Sequence, residues 1–181
     1  IAPGLSEAQQ TKVDELEKEI ASAKSDTAKF SLLLYVTNFY DAKDSLKAFQ
    51  NCWEAMGIAQ ARDDDAMQGR ALNQIGKKYF DYSNSDKALT YYEKAVEKFT
   101  AAGDKIFIAK VYTNMGHAYH MKSKYDKALE LYFSAMKIYE AEGDKRGIAR
   151  IYISLSNVYN RMDLSEKQRE VLEKGLALAE E

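Results

Sequence analysis

The feature that most constrains this chain is a register of residues that returns every forty positions. Gly76 recurs as Gly116 and Ser156, and Tyr79 as Tyr119 and Tyr159. Asp86-Lys87-Ala88-Leu89 recurs as Asp126-Lys127-Ala128-Leu129, and Gly103-Asp104-Lys105 as Gly143-Asp144-Lys145. A fixed period in this range marks a repeat array, in which one unit needs its neighbour to bury its apolar face. Within each period the apolar spacing is helical. Leu72, Ile75, Tyr79 and Tyr82 lie on one stripe, and Leu89, Tyr92, Val96 and Phe99 on a second. Between them Ser83-Asn84-Ser85 supplies short polar side chains that cap a new helix. Gly103 and Gly143 stand where a helix C-terminus favours positive φ, each followed by an aspartate suited to the next N-terminus. The predicted unit is helix, tight turn, helix, glycine turn.

Composition removes several alternatives. The single proline is Pro3, so nothing downstream has to break a helix. One cysteine, Cys52, excludes an intramolecular disulfide framework and a cysteine zinc cluster. No apolar run approaches a membrane span, so no membrane insertion by this segment is expected. A net charge of −2 offers no global attraction to nucleic acid, and none is expected as a partner. The first residue is Ile1 rather than Met, and the expectation is an excised or processed piece of a longer chain. A periplasmic or other extracytoplasmic location and a cytoplasmic one both stay open.

From Gly69, the residues Leu72, Ile75, Gly76, Tyr79, Ala88, Tyr92 and Ala95 alternate large, small and aromatic in a pattern that resembles the tetratricopeptide repeat. The copy from Ala109 gives Tyr112, Met115, Gly116, Tyr119, Ala128, Tyr132 and Ala135. Flanking copies from Lys29 and Ala149 are weaker, with Cys52, Gln168 and Gly175 in slots that hold other residues elsewhere. The resemblance implies an all-α fold, a right-handed superhelical array of antiparallel helix pairs with about nine helices. Its predicted divisions are an N-terminal leader and capping helix over 1–28 and four hairpins over 29–68, 69–108, 109–148 and 149–181. In the leader, Val13, Leu16 and Ile20 share a face that can cap the first repeat. The family repeat has about 34 residues. The surplus here is expected to lengthen the second helix, as in the long variants of bacterial sensor kinases and transcriptional regulators.

Enzyme constellations are scarce, and no enzyme, cofactor or metal is expected. There is no glycine-rich phosphate loop, nucleophile elbow or zinc-protease motif. His117 and His120 lack a third ligand, and Asp63-Asp64-Asp65 reads as a helix-start charge cluster. Cys52 takes the slot of Tyr92 and Tyr132, an interior position.

By the resemblance, the first helix of each repeat lines a concave groove. The residues carried into it are Phe30 and Leu33, then Arg70, Asn73 and Lys77, then Lys110, Asn114 and His117, then Arg150, Asn157 and Arg161. Thr37, Tyr40 and Asp41 extend the first set. Phe30, Leu33 and Tyr40 form an apolar mouth, and the remainder a basic floor that would attract an acidic or amphipathic protein segment. The two-carboxylate clamp of chaperone-binding relatives is broken, because Ser154 stands where arginine is expected. The expected role is a non-catalytic peptide-binding scaffold, the sensory or adaptor region of a larger signalling protein. Self-association into a homo-oligomer and an RNA-binding repeat are the alternatives.

Overall fold

In the computed structural model, which describes residues 6–40 and 44–180, one turn geometry closes six of the helices. Residues with left-handed backbone fall at Asp63, Ser83, Gly103, Ser123, Gly143 and Asp163, with φ between 51° and 71°. They are spaced by half the sequence period. The amide after each of them reaches back to a carbonyl in the last helical turn: Asn84 to Tyr79 at 2.8 Å, Asp104 to Phe99 at 2.9 Å, Lys124 to Tyr119 at 2.9 Å. The sequence separates a polar turn from a glycine turn, whereas the backbone uses one turn for both. Four of the helices that follow are then capped by a side-chain oxygen, while the one that starts after Lys124 has no side-chain cap. Asp64 accepts from the Met67 amide, Asn84 from Lys87, Asp104 from Phe107 and Asp144 from Gly147.

Nine helices result among the described residues: α1 (Glu7–Ala21), α2 (Asp26–Val36), α3 (Ser45–Ala61), α4 (Asp65–Asp81), α5 (Ser85–Ala102), α6 (Lys105–Met121), α7 (Tyr125–Ala141), α8 (Lys145–Arg161) and α9 (Ser165–Glu180). Each packs on the helix before and after it, and α4, α6 and α8 also touch in sequence order. The fold is all-α, a stack of antiparallel pairs with even-numbered helices on one side. The surplus residues of the long repeat do not lengthen the second helix alone. First helices α4, α6 and α8 have 17 residues, against 18 and 17 for α5 and α7. The caps at Asp64, Asp104 and Asp144 start each first helix a turn early, which shares the surplus between both members.

Aromatic rings seated on glycines hold the pairs together. A Cβ on Gly76 would lie 2.6 Å from the Tyr92 ring, and Gly116 faces Tyr132 in the same way. The echoing glycines therefore mark the helix crossings, where only a hydrogen leaves room for the ring. Tyr92, Tyr132, Phe99 and Tyr139 are sealed there. The leader helix α1 covers the open end of the first pair, burying Val13 and Leu16 against Val36, Tyr40 and Ala48, with Ile20 beside them. Cys52 is fully buried, and that burial pushes its thiol up to about 12, with Lys78 pulling slightly the other way.

Repeat one departs from its copies. α2 has 11 residues and ends at Val36, a turn before the corresponding end of α4. The carbonyl of its C-cap residue Thr37 is met by Lys78, which is 3% exposed and stands where the later repeats place Ala118 and Val158. The Lys78 ammonium donates to the Thr37 carbonyl at 3.1 Å and to Asp81 Oδ2 at 2.7 Å. A cation at a helix C-terminus is favoured by the helix dipole, and here two oxygens also satisfy it.

Candidate functional site

The face formed by α2, α4, α6 and α8 carries one polar residue per repeat that reaches back to the preceding first helix. Gln74 Nε2 donates to Asn38 Oδ1 at 3.2 Å and also to the Thr37 hydroxyl. Asn114 Nδ2 donates to Asn73 Oδ1 at 2.9 Å. His117 Nε2 lies 3.1 Å from the Ser154 hydroxyl. Gln74, Asn114 and Ser154 are the same slot in three copies, forty residues apart, so these bonds form a ladder of rungs between neighbouring first helices. Lys77 adds a fourth contact, donating to Asn38 Oδ1 at 2.9 Å.

The predicted groove residues distribute unevenly over this face. Phe30 and Leu33 are not a mouth: they are 0% and 1% exposed, packed with Ala55, Met56, Ala59 and Ala71. Exposing either to a groove would forfeit about 1.5–3 kcal/mol of burial. Thr37 and Tyr40 are buried as well, and Asp41 lies outside the described residues. The apolar surface near that end comes from Tyr35, which is 51% exposed, and Phe107. With Ser31, Leu34, Asn38, Arg70, Asn73 and Gln74 they line a hollow of about 400 Å³. Arg70 sits between two rings, its guanidinium carbon 5.3 Å from the Phe30 centroid and 5.9 Å from that of Phe107.

A second, narrower hollow of about 140 Å³ lies between α6, α7 and α8, lined by Lys110, Thr113, Asn114, His117, Tyr139 and Arg150. Lys110 and Arg150 share one repeat position, and no acidic residue lines the hollow. The Lys110 ammonium rests 4.0 Å from the Phe107 ring centroid. Burial holds the His117 imidazole below its usual value, with His120 adding to the effect, which favours the neutral ring beside Ser154. Asn157 and Arg161 are exposed farther along α8 and line neither hollow. Gln74 and Asn38 are not among the predicted groove residues, and Ser154 enters there only as the residue that breaks the clamp. Gln74 shares its slot with Asn114, which the resemblance does carry into the groove, so that recurrence is the available signal; Asn38 has none, because its slot holds Lys78, Ala118 and Val158 in the later repeats.

Among the described residues, no group of three or more His, Cys, Asp or Glu is placed to hold a metal ion. No described helix is long and apolar enough to cross a membrane.

Residues 107–181, which hold nearly all of α6 to α9, match the family model of the tetratricopeptide repeat. The array is tetratricopeptide-like. Solved structures carry the same fold over almost the whole chain. A signal transduction ATPase with numerous domains and a tetratricopeptide repeat sensor, from Pyrococcus horikoshii, superposes with a TM-score of 0.78 at 22% identity, covering 95% of this chain and 28% of that one. Aspartyl phosphate phosphatase F from Bacillus subtilis gives 0.80 at 14% identity, covering 96% and 49%. A Rap protein complexed with competence and sporulation factor gives 0.81 at 20% identity, covering 95% and 49%. The chain thus spans about half the length of the last two and just over a quarter of the first. No curated protein sequence matches it. At these identities the likeness establishes the tetratricopeptide fold.

Proposed function

We propose that this chain is a non-catalytic scaffold that binds an acidic or amphipathic protein segment along its concave face, as the sensory or adaptor region of a larger signalling protein. The observation that carries the reading is the hollow between α6 and α8, where Lys110 and Arg150 converge with Thr113, Asn114 and His117 and no carboxylate lines the space. A carboxylate entering it meets two cations and several donors, which favours charge-assisted hydrogen bonds. The tetratricopeptide repeat sensor of the Pyrococcus ATPase and the Rap protein complexed with competence and sporulation factor show the fold in sensory and complex-forming proteins, which supports the same class of role. Fluorescence anisotropy with a panel of labelled acidic peptides tests it. Lys110→Glu with Arg150→Glu is expected to weaken every bound peptide by about tenfold or more. Unchanged affinity across the panel would remove this hollow from the site.

Self-association is the second reading, and one observation favours it. Leu172 and Leu176 on α9 are 48% and 63% exposed, although the residues in the Leu172 slot of earlier repeats, Tyr92 and Tyr132, are buried.

A further inference from the structure

The outer face of the array changes character in repeat one. Along α3, Leu46, Phe49 and Trp53 share one stripe and Gly57 continues it, with nothing within 4 Å of where its Cβ would be. Leu46 is 77% and Trp53 47% exposed. In the later repeats the Leu46 slot holds Asp86, Asp126 and Glu166, and the Trp53 slot holds Glu93, Phe133 and Glu173. An acidic bank has become an apolar one.

Opposite that bank stands α5, and rings from three helices fill the space between. Phe49 lies 4.6 Å from Tyr79, Tyr79 stacks on Tyr91 at 5.3 Å with 10° between planes, and Trp53 meets Tyr91 edge-on at 6.1 Å. The far bank is basic. Lys87 Nζ sits 5.2 Å from the Tyr79 ring centroid and Lys94 Nζ 5.5 Å from that of Tyr91. The nearest charges on α3 are already engaged, Lys47 with Glu17 at 3.3 Å and Glu54 with Lys29 at 2.6 Å. Phe133 repeats the aromatic on α7, but the groove it borders with α9 contains Glu140 and Glu170, the latter paired with Lys174 at 2.6 Å. Among the described residues, the first outer groove brings together a solvent-facing tryptophan, an aromatic floor and two ring-held lysines, and Glu54, the α3 carboxylate beside Trp53, is paired with Lys29.

We propose that the groove between α3 and α5 is a docking site for an acidic amphipathic helix of a partner protein, independent of the concave face. The chemistry fixes the class of occupant. Leu46, Phe49 and Trp53 follow helical spacing, so they form a ridge that a second helix meets with apolar residues at its own i, i+4 and i+7 positions. Lys87 and Lys94 line one side of that seat, and carboxylates on the matching flank of the partner supply the charge that the acidic slots supply in other repeats. Tryptophan and tyrosine at the centre of such a surface carry most of the affinity.

Trp53 is the one tryptophan in the sequence, so its emission reports this groove alone. The probe is a helical peptide of about eighteen residues with leucines at i, i+4 and i+7 and glutamates flanking them. Its controls are a version with lysines for glutamates, a scrambled version, and phosphatidylcholine–phosphatidylserine vesicles. The acidic peptide is expected to shift Trp53 emission to shorter wavelength and to saturate. Lys87→Glu with Lys94→Glu, and separately Leu46→Glu, are expected to lower its affinity by about tenfold or more. Lys110→Glu with Arg150→Glu is expected to leave it unchanged, which separates this site from the concave one. The lysine pair is exposed, so its variant keeps the test valid even where Leu46→Glu disturbs folding. The proposal is overturned by no saturable shift, by equal response to the basic or scrambled peptide, by saturation with vesicles instead, or by a shift on raising protein concentration alone.

Discussion

His117 shows how one side chain can serve the fold and the groove together. Its Nε2 meets Ser154 across the gap between α6 and α8, and its ring lies edge-on to Tyr132 at 5.6 Å. Because burial lowers its titration and His120 adds to that, the native ring stays neutral while the unfolded chain takes up a proton below the ordinary value of 6.5. The stability that His117 contributes is therefore full above that value and is lost as pH falls through the lower native one. Thermal melts should lose more stability between about pH 7 and pH 5 in the parent than in His117→Gln, where that titration is gone. Equal losses would show that His117 is not the acid-sensitive group. The residue was legible in the sequence as a groove position. Its rung to Ser154 was not, because nothing in a one-dimensional register says which neighbouring helix a side chain reaches.

At the scale of elements, two devices close the repeats. In repeats two and three a ring sits on a glycine across the pair, and in repeats two to four a lysine from the start of the second helix covers a tyrosine near the end of the first. The latter recurs three times, Lys87 over Tyr79, Lys127 over Tyr119 and Lys167 over Tyr159, at 5.2, 5.4 and 5.8 Å. The glycine contact is the less forgiving. A methyl group on Gly76 would press on the Tyr92 ring and come within 3.1 Å of the Ala88 carbonyl oxygen, which is backbone and cannot swing away. Overpacking of this kind costs about 1–3 kcal/mol, against the roughly 0.5–1 kcal/mol that alanine gains in a helix interior. Gly76→Ala should be destabilised in urea unfolding, whereas Gly57→Ala, where space is open, should be as stable as the parent or more so. An unaltered Gly76→Ala midpoint would mean that the helices separate without loss. These crossings were legible because glycine and tyrosine recur together in the sequence. The early start of the first helices follows from the aspartate after the turn, legible at Asp104 and Asp144, whereas in the Asp63-Asp64-Asp65 run the structure selects Asp64 as the cap.

For the whole molecule, the two ends of the stack differ. At one, α1 closes the core with an outer face of charged and polar residues, among them Glu7, Gln10, Asp14 and Lys18. At the other, α9 leaves Leu172 and Leu176 in water. If that face pairs between copies, light scattering over a concentration series will show mass rising toward a dimer, and Leu172→Glu with Leu176→Glu will return it to the monomer. A constant monomer mass removes the self-association reading. The described outer face of α1 is polar and does not match the apolar face of α9, so pairing of α9 with a second α9 is the association that these surfaces favour.

By itself the sequence determined the repeat unit, the helical stripes, the crossing glycines and the capping character of α1. All of these follow from local spacing and from steric demands that one residue type meets. Tertiary structure alone decided which side chains remain available to a partner. It sealed Phe30 and Leu33 in the core, turned Asn73, Asn114 and His117 into rungs between repeats, and put Lys78 at the foot of a shortened α2. It also brought Trp53, Tyr79 and Tyr91 to one outer groove from three different helices. Exposure is a property of what packs against a residue, and in an array those neighbours lie one whole repeat away along the chain.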